Sequence, residues 1–179
     1  WLLAPIAAPD FSLPDLDGRT RTLSALHGKP LLLTFWMKDS PGCDRDLALL
    51  NQMHRRGAAQ DTQILTVNLD NASELTNIRA LVRSRRLALP SVQATNDVAA
   101  IYNLLYRHLF DRHRDLTLPS SFLIDPQGDL VKVYQGPLNL DHLENDLRHI
   151  PRTPAERVAK GLPFPGVSDS PDFHRNYLS

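Results

Sequence analysis

One cysteine, Cys43, stands in the 179-residue chain, at the end of the stretch Phe35-Trp36-Met37-Lys38-Asp39-Ser40-Pro41-Gly42-Cys43. A thiol can act as a nucleophile, a redox centre or a metal ligand, and the thiolate is the species that does so. Ser40 is a suitable N-cap and Pro41 fits the first helical position, which would put Cys43 third, its backbone N–H facing the serine hydroxyl. The partial positive charge at a helix start favours a thiolate there. Asp39, Asp44 and Asp46 oppose that charge, whereas Lys38 and Arg45 offset part of it. The alternative reading is a small buried hydrophobe without chemistry. A second chemistry-bearing pair, His108 and His113, lies in an Arg- and His-rich run, but five-residue spacing puts two histidines on different helix faces and does not suit a metal.

The elements that must position Cys43 follow from the patterning. Leu31 to Trp36 is an apolar run of strand length, and Leu47, Leu50 and Met53 recur at helical spacing between Asp44 and Arg56, with Gly57 as the stop. A second strand is expected from Gln63 to Leu69 and a second helix from Ser73 to Arg85, with Leu75, Ile78 and Val82 on its inner face. Two strand–helix units in succession imply a parallel, right-handed crossover. Asn96 is the expected cap of a third helix carrying Val98, Ile101 and Leu105. The segment 118–134 reads as strand, Asp-Pro-Gln-Gly turn and strand. Asp141 to Ile150 closes the pattern as a helix with Leu143 and Leu147 inward. Upstream, residues 9–18 alternate apolar residues with prolines before an Asp-Gly turn, the mark of an edge hairpin, and residues 22–30 form a short helical turn. The class is α/β, a central mixed sheet flanked by helices.

Composition bounds the function. Formal net charge is zero, which gives no electrostatic footprint for nucleic acid or an anionic membrane. A single cysteine permits neither an internal disulfide nor a thiolate cluster for zinc, and no apolar run reaches membrane-spanning length. The opening Trp1-Leu2-Leu3-Ala4-Pro5 lacks the basic flank and apolar length of a signal peptide and reads as a segment cut from a longer protein. Residues 1–7 are expected to be a linker, residues 8–150 the domain, and the proline-rich residues 151–179 a tail or a strap over the surface.

A cysteine helix after a central strand, with a proline just before a hairpin, resembles the thioredoxin fold. Phe35-Trp36 through Cys43 resembles the Phe-Trp-x-x-x-Cys-Pro-x-Cys segment of TlpA/ResA-like redoxins, so that Ser40-Pro41-Gly42-Cys43 lies over their CxxC with serine for the first cysteine. Leu118-Pro119-Ser120-Ser121 resembles the cis-proline segment of that family. Ala8-Pro9-Asp10-Phe11 through Gly18 resembles the N-terminal hairpin shared with AhpC/TSA peroxiredoxins. Lys38 to Cys43 is also similar to their peroxidatic motif, with Met37 in place of its proline and one residue fewer. The resemblance implies a site of Cys43 and Ser40 flanked by Trp36, Pro41, Gly42, Leu118 and Pro119, no cofactor and no metal. It implies protein thiols, protein disulfides or peroxide as reaction partners.

Ser40 cannot make the first attack of a dithiol cycle, because an alcohol without a base stays protonated. A monothiol enzyme using Cys43 and a non-catalytic binding module of the same fold both remain. Met37, Lys38 and Asp39 depart from the family pattern as well, which favours natural divergence over one replaced cysteine. Residues 106–112, and the chain from Asn139 onward, resemble redoxin domains found beside ASPIC/FG-GAP modules and tetratricopeptide repeats in bacterial proteins. That likeness implies partner domains in a longer parent chain and an extracytoplasmic location.

Overall fold

The structure, a computed structural model, describes residues 1–56, 61–110 and 115–161. Leu31–Trp36 forms β4, with every side chain buried, as a strand covered on both faces must be. It pairs in parallel with β5, Gln63–Asn68, and antiparallel with β7, Ser120–Ile124. β7 continues through the expected turn into β8, Asp129–Gln135. The two outer strands are β1, Ile6–Ala7, and β6, Ser91–Gln93, giving the order β1-β8-β7-β4-β5-β6. The expected edge hairpin is present as a separate two-stranded sheet, β2 (Ser12–Pro14) with β3 (Thr20–Thr22), and Asp15 bridges from it to Val92 on β6. That contact covers a sheet edge that would otherwise be open.

The period-2 alternation of β4 divides the core in two. Leu31, Leu33 and Phe35 face α3, Asn96–Leu109, where Phe35, Tyr102 and Phe122 form an aromatic triangle with centroids 4.8 to 5.5 Å apart. Leu32 and Trp36 face α1 (Cys43–Arg55), α2 (Leu75–Ser84) and α4 (Leu140–Arg148), through Leu47, Leu50, Ile78 and Leu143. On this second face Ser121, Thr34, Thr66 and Ser91 stand in register across four strands, with hydroxyls bonded in pairs, Thr34 to Ser121 at 2.9 Å and Thr66 to Ser91 at 2.5 Å. Hydroxyls at core positions are tolerated because each finds its partner on the next strand.

Several expectations are corrected. Thr95, not Asn96, caps α3, its hydroxyl accepting the Val98 N–H at 3.4 Å. Ile101 is 43% exposed and Tyr102 and Tyr106 take the inner face, so the helix turns slightly from the expected orientation. The segment preceding α2 is a 3-10 turn over Ala72–Glu74, with Asn71 as its cap. β6 and β1 were not expected, since two or three residues of mixed polarity carry no periodicity of their own. The expected tail begins with a helix, α5, Pro154–Gly161. Gly57, His113 and residues 162–179 lie outside the described residues, and among the described residues no group of side chains is arranged to hold a metal.

Candidate functional site

The end of β4 delivers the chain to a loop, Met37 to Gly42, and then to α1. The expected N-terminus of α1 is corrected by two residues. Gly42, with φ +86°, is left-handed, so the helix starts at Cys43 and Ser40 is not its cap. The Cys43 N–H donates to the Ser40 backbone carbonyl at 3.2 Å rather than to its hydroxyl. That hydroxyl instead donates to the Leu118 carbonyl at 3.4 Å, in the segment before β7. The Leu118–Pro119 bond is cis, as the resemblance implies.

The two segments touch at Gly42. A Cβ built there would lie 3.4 Å from Pro119 Cδ and 3.1 Å from Cγ of Pro137 in the β8–α4 loop. The Gly136 N–H donates to the Pro119 carbonyl at 3.0 Å and fixes that loop beside the cis-proline. Ser40, Gly42, Cys43, Leu118 and Pro119 are thus brought together, with Pro41 exposed and both Pro119 and Trp36 buried. Leu118 packs against both core clusters, which places it over the boundary between the two faces of the sheet. The Trp36 indole N–H is buried without a hydrogen-bond partner among the described residues.

Cys43 is 0% exposed, packed with Trp36, Leu47 and Leu138 in the apolar cluster under α1. Burial pushes its thiol pKa up. Hydrogen bonds from the Met37 backbone and the Ser40 side chain pull the other way, and the charges of Asp46 and Asp44 raise it further. Lys38 does not supply the offset expected of it, because its ammonium is held by Glu74, which raises its own pKa. Its backbone N–H donates to Asp70 at 2.9 Å, and Asn68 donates to the same carboxylate at 2.7 Å, so residues 37–39 are anchored on β5. Arg85, from the residue after α2, pairs with Asp44.

Two contributors were not foreseen in these roles. Asp46, expected only as a charge opposing the thiolate, is 0% exposed and takes the Leu138 N–H on both carboxylate oxygens, at 3.0 and 3.1 Å. Burial raises its pKa, and the Leu138 N–H and the Arg45 charge oppose that rise. An acid falling in the apolar stripe Cys43, Leu47, Leu50 and Met53 was the signal that it is buried. Pro137 was the other, announced only by the Gly-Pro pair after β8.

Residues 6–133 match the profile of the AhpC/TSA family. The chain is 27% identical over 143 residues to the thiol-disulfide oxidoreductase ResA of Geobacillus thermodenitrificans, covering 80% of this chain and 75% of that protein. Its fold is similar to that of a thiol:disulfide interchange protein of the thioredoxin family from Chlorobium tepidum, with TM-score 0.68, 22% identity, and coverage of 81% of this chain and 95% of that one. A secreted disulfide oxidoreductase from Mycobacterium tuberculosis superposes with TM-score 0.61 at 17% identity, over 77% of this chain and 94% of the other. These structural likenesses establish a thioredoxin-like fold.

Proposed function

As the chain belongs to the AhpC/TSA family and has the thioredoxin-like fold, we propose that it performs thiol–disulfide exchange with protein partners as a monothiol, through Cys43. The observation that carries this reading is the juxtaposition of the Cys43 helix start with the cis-proline segment, linked at Gly42 and by Ser40 to the Leu118 carbonyl. An extended partner laid along residue 118 would pair with its backbone as an added strand does.

In the exchange, the Cys43 thiolate bonds to one sulfur of a partner disulfide, the partner's S–S bond breaks, and the other sulfur leaves as a thiolate. Ser40 has no thiol with which to resolve the mixed disulfide. Release therefore falls to a second thiol of the partner, which rearranges the disulfide without net electron flow. Two equivalents of an external thiol would instead leave the partner reduced and the external pair oxidised. Peroxide reduction through a Cys43 sulfenate is less favoured, since a peroxidatic thiol needs a lowered pKa and here burial raises it.

A second reading is favoured by a specific observation, the complete burial of Cys43. In it the same groove holds a peptide or a neighbouring domain of the parent chain without any covalent step. A site of action outside the cytoplasm accords with the secreted structural relative. Among the described residues no helix is long and apolar enough to cross a membrane.

The test is to mix the reduced protein with an excess of a disulfide-bridged peptide and follow intact mass. One covalent peptide per chain, lost in Cys43→Ala, is the expected result. Binding of the peptide without any adduct, even above pH 9, would leave only the module.

A further inference from the structure

A cleft of about 270 Å3 that shares no residue with the thiol site lies between the β2–β3 hairpin, α2 and the loop leading into β6. Its walls are tied together by main-chain bonds. The Leu16 N–H donates to the Ser91 carbonyl at 3.1 Å, Asp15 bridges to Val92, and the Leu87 N–H donates to the Val82 carbonyl at 3.0 Å. The cleft is therefore part of the folded frame and needs no ligand to form. Three arginines line it: Arg21 from β3, and Arg79 and Arg83, which stand one turn apart on the same face of α2.

Two of these guanidinium groups are tethered by Nε alone. Arg21 Nε donates to the Asp15 carboxylate at 3.1 Å, and Arg79 Nε donates to the Leu16 carbonyl at 2.5 Å. Each tether uses one of the five N–H donors of its group, and the Nη donors of both arginines make no bond among the described residues. The Arg83 guanidinium has no partner at all among them. The acids of the cleft do not absorb this surplus. Asp15 is buried and already spent, since its other oxygen takes the Asp17 and Arg19 N–H groups at 3.0 and 2.8 Å. Asp15 offsets Arg21 and the exposed Asp17 offsets one arginine more, which leaves a single positive charge in a chain whose formal net charge is zero.

We propose that this cleft is a binding site for a small organic carboxylate, its head on the Arg79 and Arg83 forks and its apolar body on Leu16, Val82 and Leu89. Guanidinium donors already fixed in direction suit a planar carboxylate, which takes two parallel N–H bonds from one fork. One unbalanced positive charge suits a monoanion better than a phosphate monoester, which carries nearly two negative charges at neutral pH. The apolar part of the lining gives a bare inorganic anion nothing to cover, whereas an acid with a hydrocarbon body covers it. At about 30 Å3 for each water-sized group, the cleft has room for roughly nine non-hydrogen atoms. That is the size of a benzoate. The site is independent of the exchange proposed for Cys43.

The test is a titration of the full chain with benzoate at pH 7, followed by the amide resonances of Leu16 and Leu89 and the Nε–H resonance of Arg79. Saturable shifts at all three, complete by about 10 mM as a fragment of this size allows, are the expected result. Benzyl alcohol, which has the body without the charge, and acetate, which has the charge without the body, should each bind at least about tenfold more weakly. Arg83→Gln should weaken benzoate about tenfold and leave the unfolding midpoint unchanged, since that side chain holds nothing else, while Asp17→Asn should tighten it. Arg85→Gln removes an equal charge from a side chain that pairs with Asp44 outside the cleft, and should leave binding as it is. Equal losses in Arg83→Gln and Arg85→Gln would reduce the effect to general charge and overturn the site. Shifts that stay linear to 50 mM would overturn it as well, and phenyl phosphate binding more tightly than benzoate would overturn the assignment to a carboxylate. Cys43→Ala should bind benzoate as the native chain does, so neither result bears on the thiol.

Discussion

The two segments that meet at Gly42 do different work. At 118–120 the chain has a cis Leu118–Pro119 bond, a carbonyl that accepts from the Ser40 hydroxyl and a direct run into β7. At 37–43 it has the helix start, the buried thiol and the Ser40 hydroxyl, and Lys38 is tied by its ammonium to Glu74 and by its backbone N–H to Asp70. The difference separates two properties that are usually found together. Presenting a backbone edge to a partner depends on main-chain geometry, which tolerates side-chain change. Moving two electrons within one chain depends on a second sulfur, and this chain has one cysteine.

The strongest way to break this contrast is to place a second sulfur at residue 40, beside Cys43. Ser40→Cys should form a disulfide with Cys43 under mild oxidant, seen as a loss of two hydrogens in intact mass. It should raise turnover of a peptide disulfide by about two orders of magnitude or more over the native chain, because a thiolate replaces an alcohol that stays protonated. A folded variant that forms no disulfide would remove the alignment of residues 40–43 with CxxC.

A smaller effect comes from pushing the walls apart. Gly42→Ala places a Cβ 3.1 Å from Pro137 Cγ and forces a side chain onto a residue with φ +86°. A loss of about 1–3 kcal/mol in denaturant unfolding is expected from that backbone strain. An unchanged midpoint would mean that the two segments are not tied at this residue.

The buried thiol should also show in the pH dependence of stability. Burial raises the folded pKa of Cys43 above that of the unfolded chain, about 8.5. Its contribution is therefore fully present below that pH and is lost as pH rises through the folded value, where the unfolded chain has already released the proton. Comparing the native chain with Cys43→Ala between pH 7 and 10.5 should show a steeper alkaline fall in the native protein. Parallel curves would contradict the burial account.

The smallest effect sharpens the electrostatics around Cys43. Asp46→Asn keeps an oxygen for the Leu138 N–H and removes a charge that raises the thiol pKa. The Cys43 titration should move down by about half a pH unit, as loss of one nearby like charge would produce. Movement upward would show that the carboxylate is protonated and acts as a donor.

How much of this was legible depends on how local each signal is. Leu31–Trp36 matched its strand to the residue because six apolar side chains in succession leave little else to build. The hairpin 120–135 followed from its Asp-Pro-Gln-Gly turn. β6 was not legible, because Ser91-Val92-Gln93 becomes a strand only through its pairing with Thr66, Val67 and Asn68. The start of α1 was misjudged by two residues because Ser-Pro-Gly-Cys suits a serine cap in sequence, whereas with Gly42 left-handed the serine side chain bonds the Leu118 carbonyl instead. Contacts of that kind, like Asp46 with Leu138 some 90 residues on, are tertiary facts without a local signature.

The central claim, a partner-binding groove whose lone thiol is held protonated by burial, is tested most directly by the rate at which Cys43 reacts with a small thiol probe across pH. The account predicts a rate at pH 7 below that of free cysteine, rising with pH to a plateau only above about pH 9, past the ordinary thiol value. A plateau reached below about pH 8, with a rate at pH 7 above that of free cysteine, would contradict it and would make Cys43 an activated nucleophile.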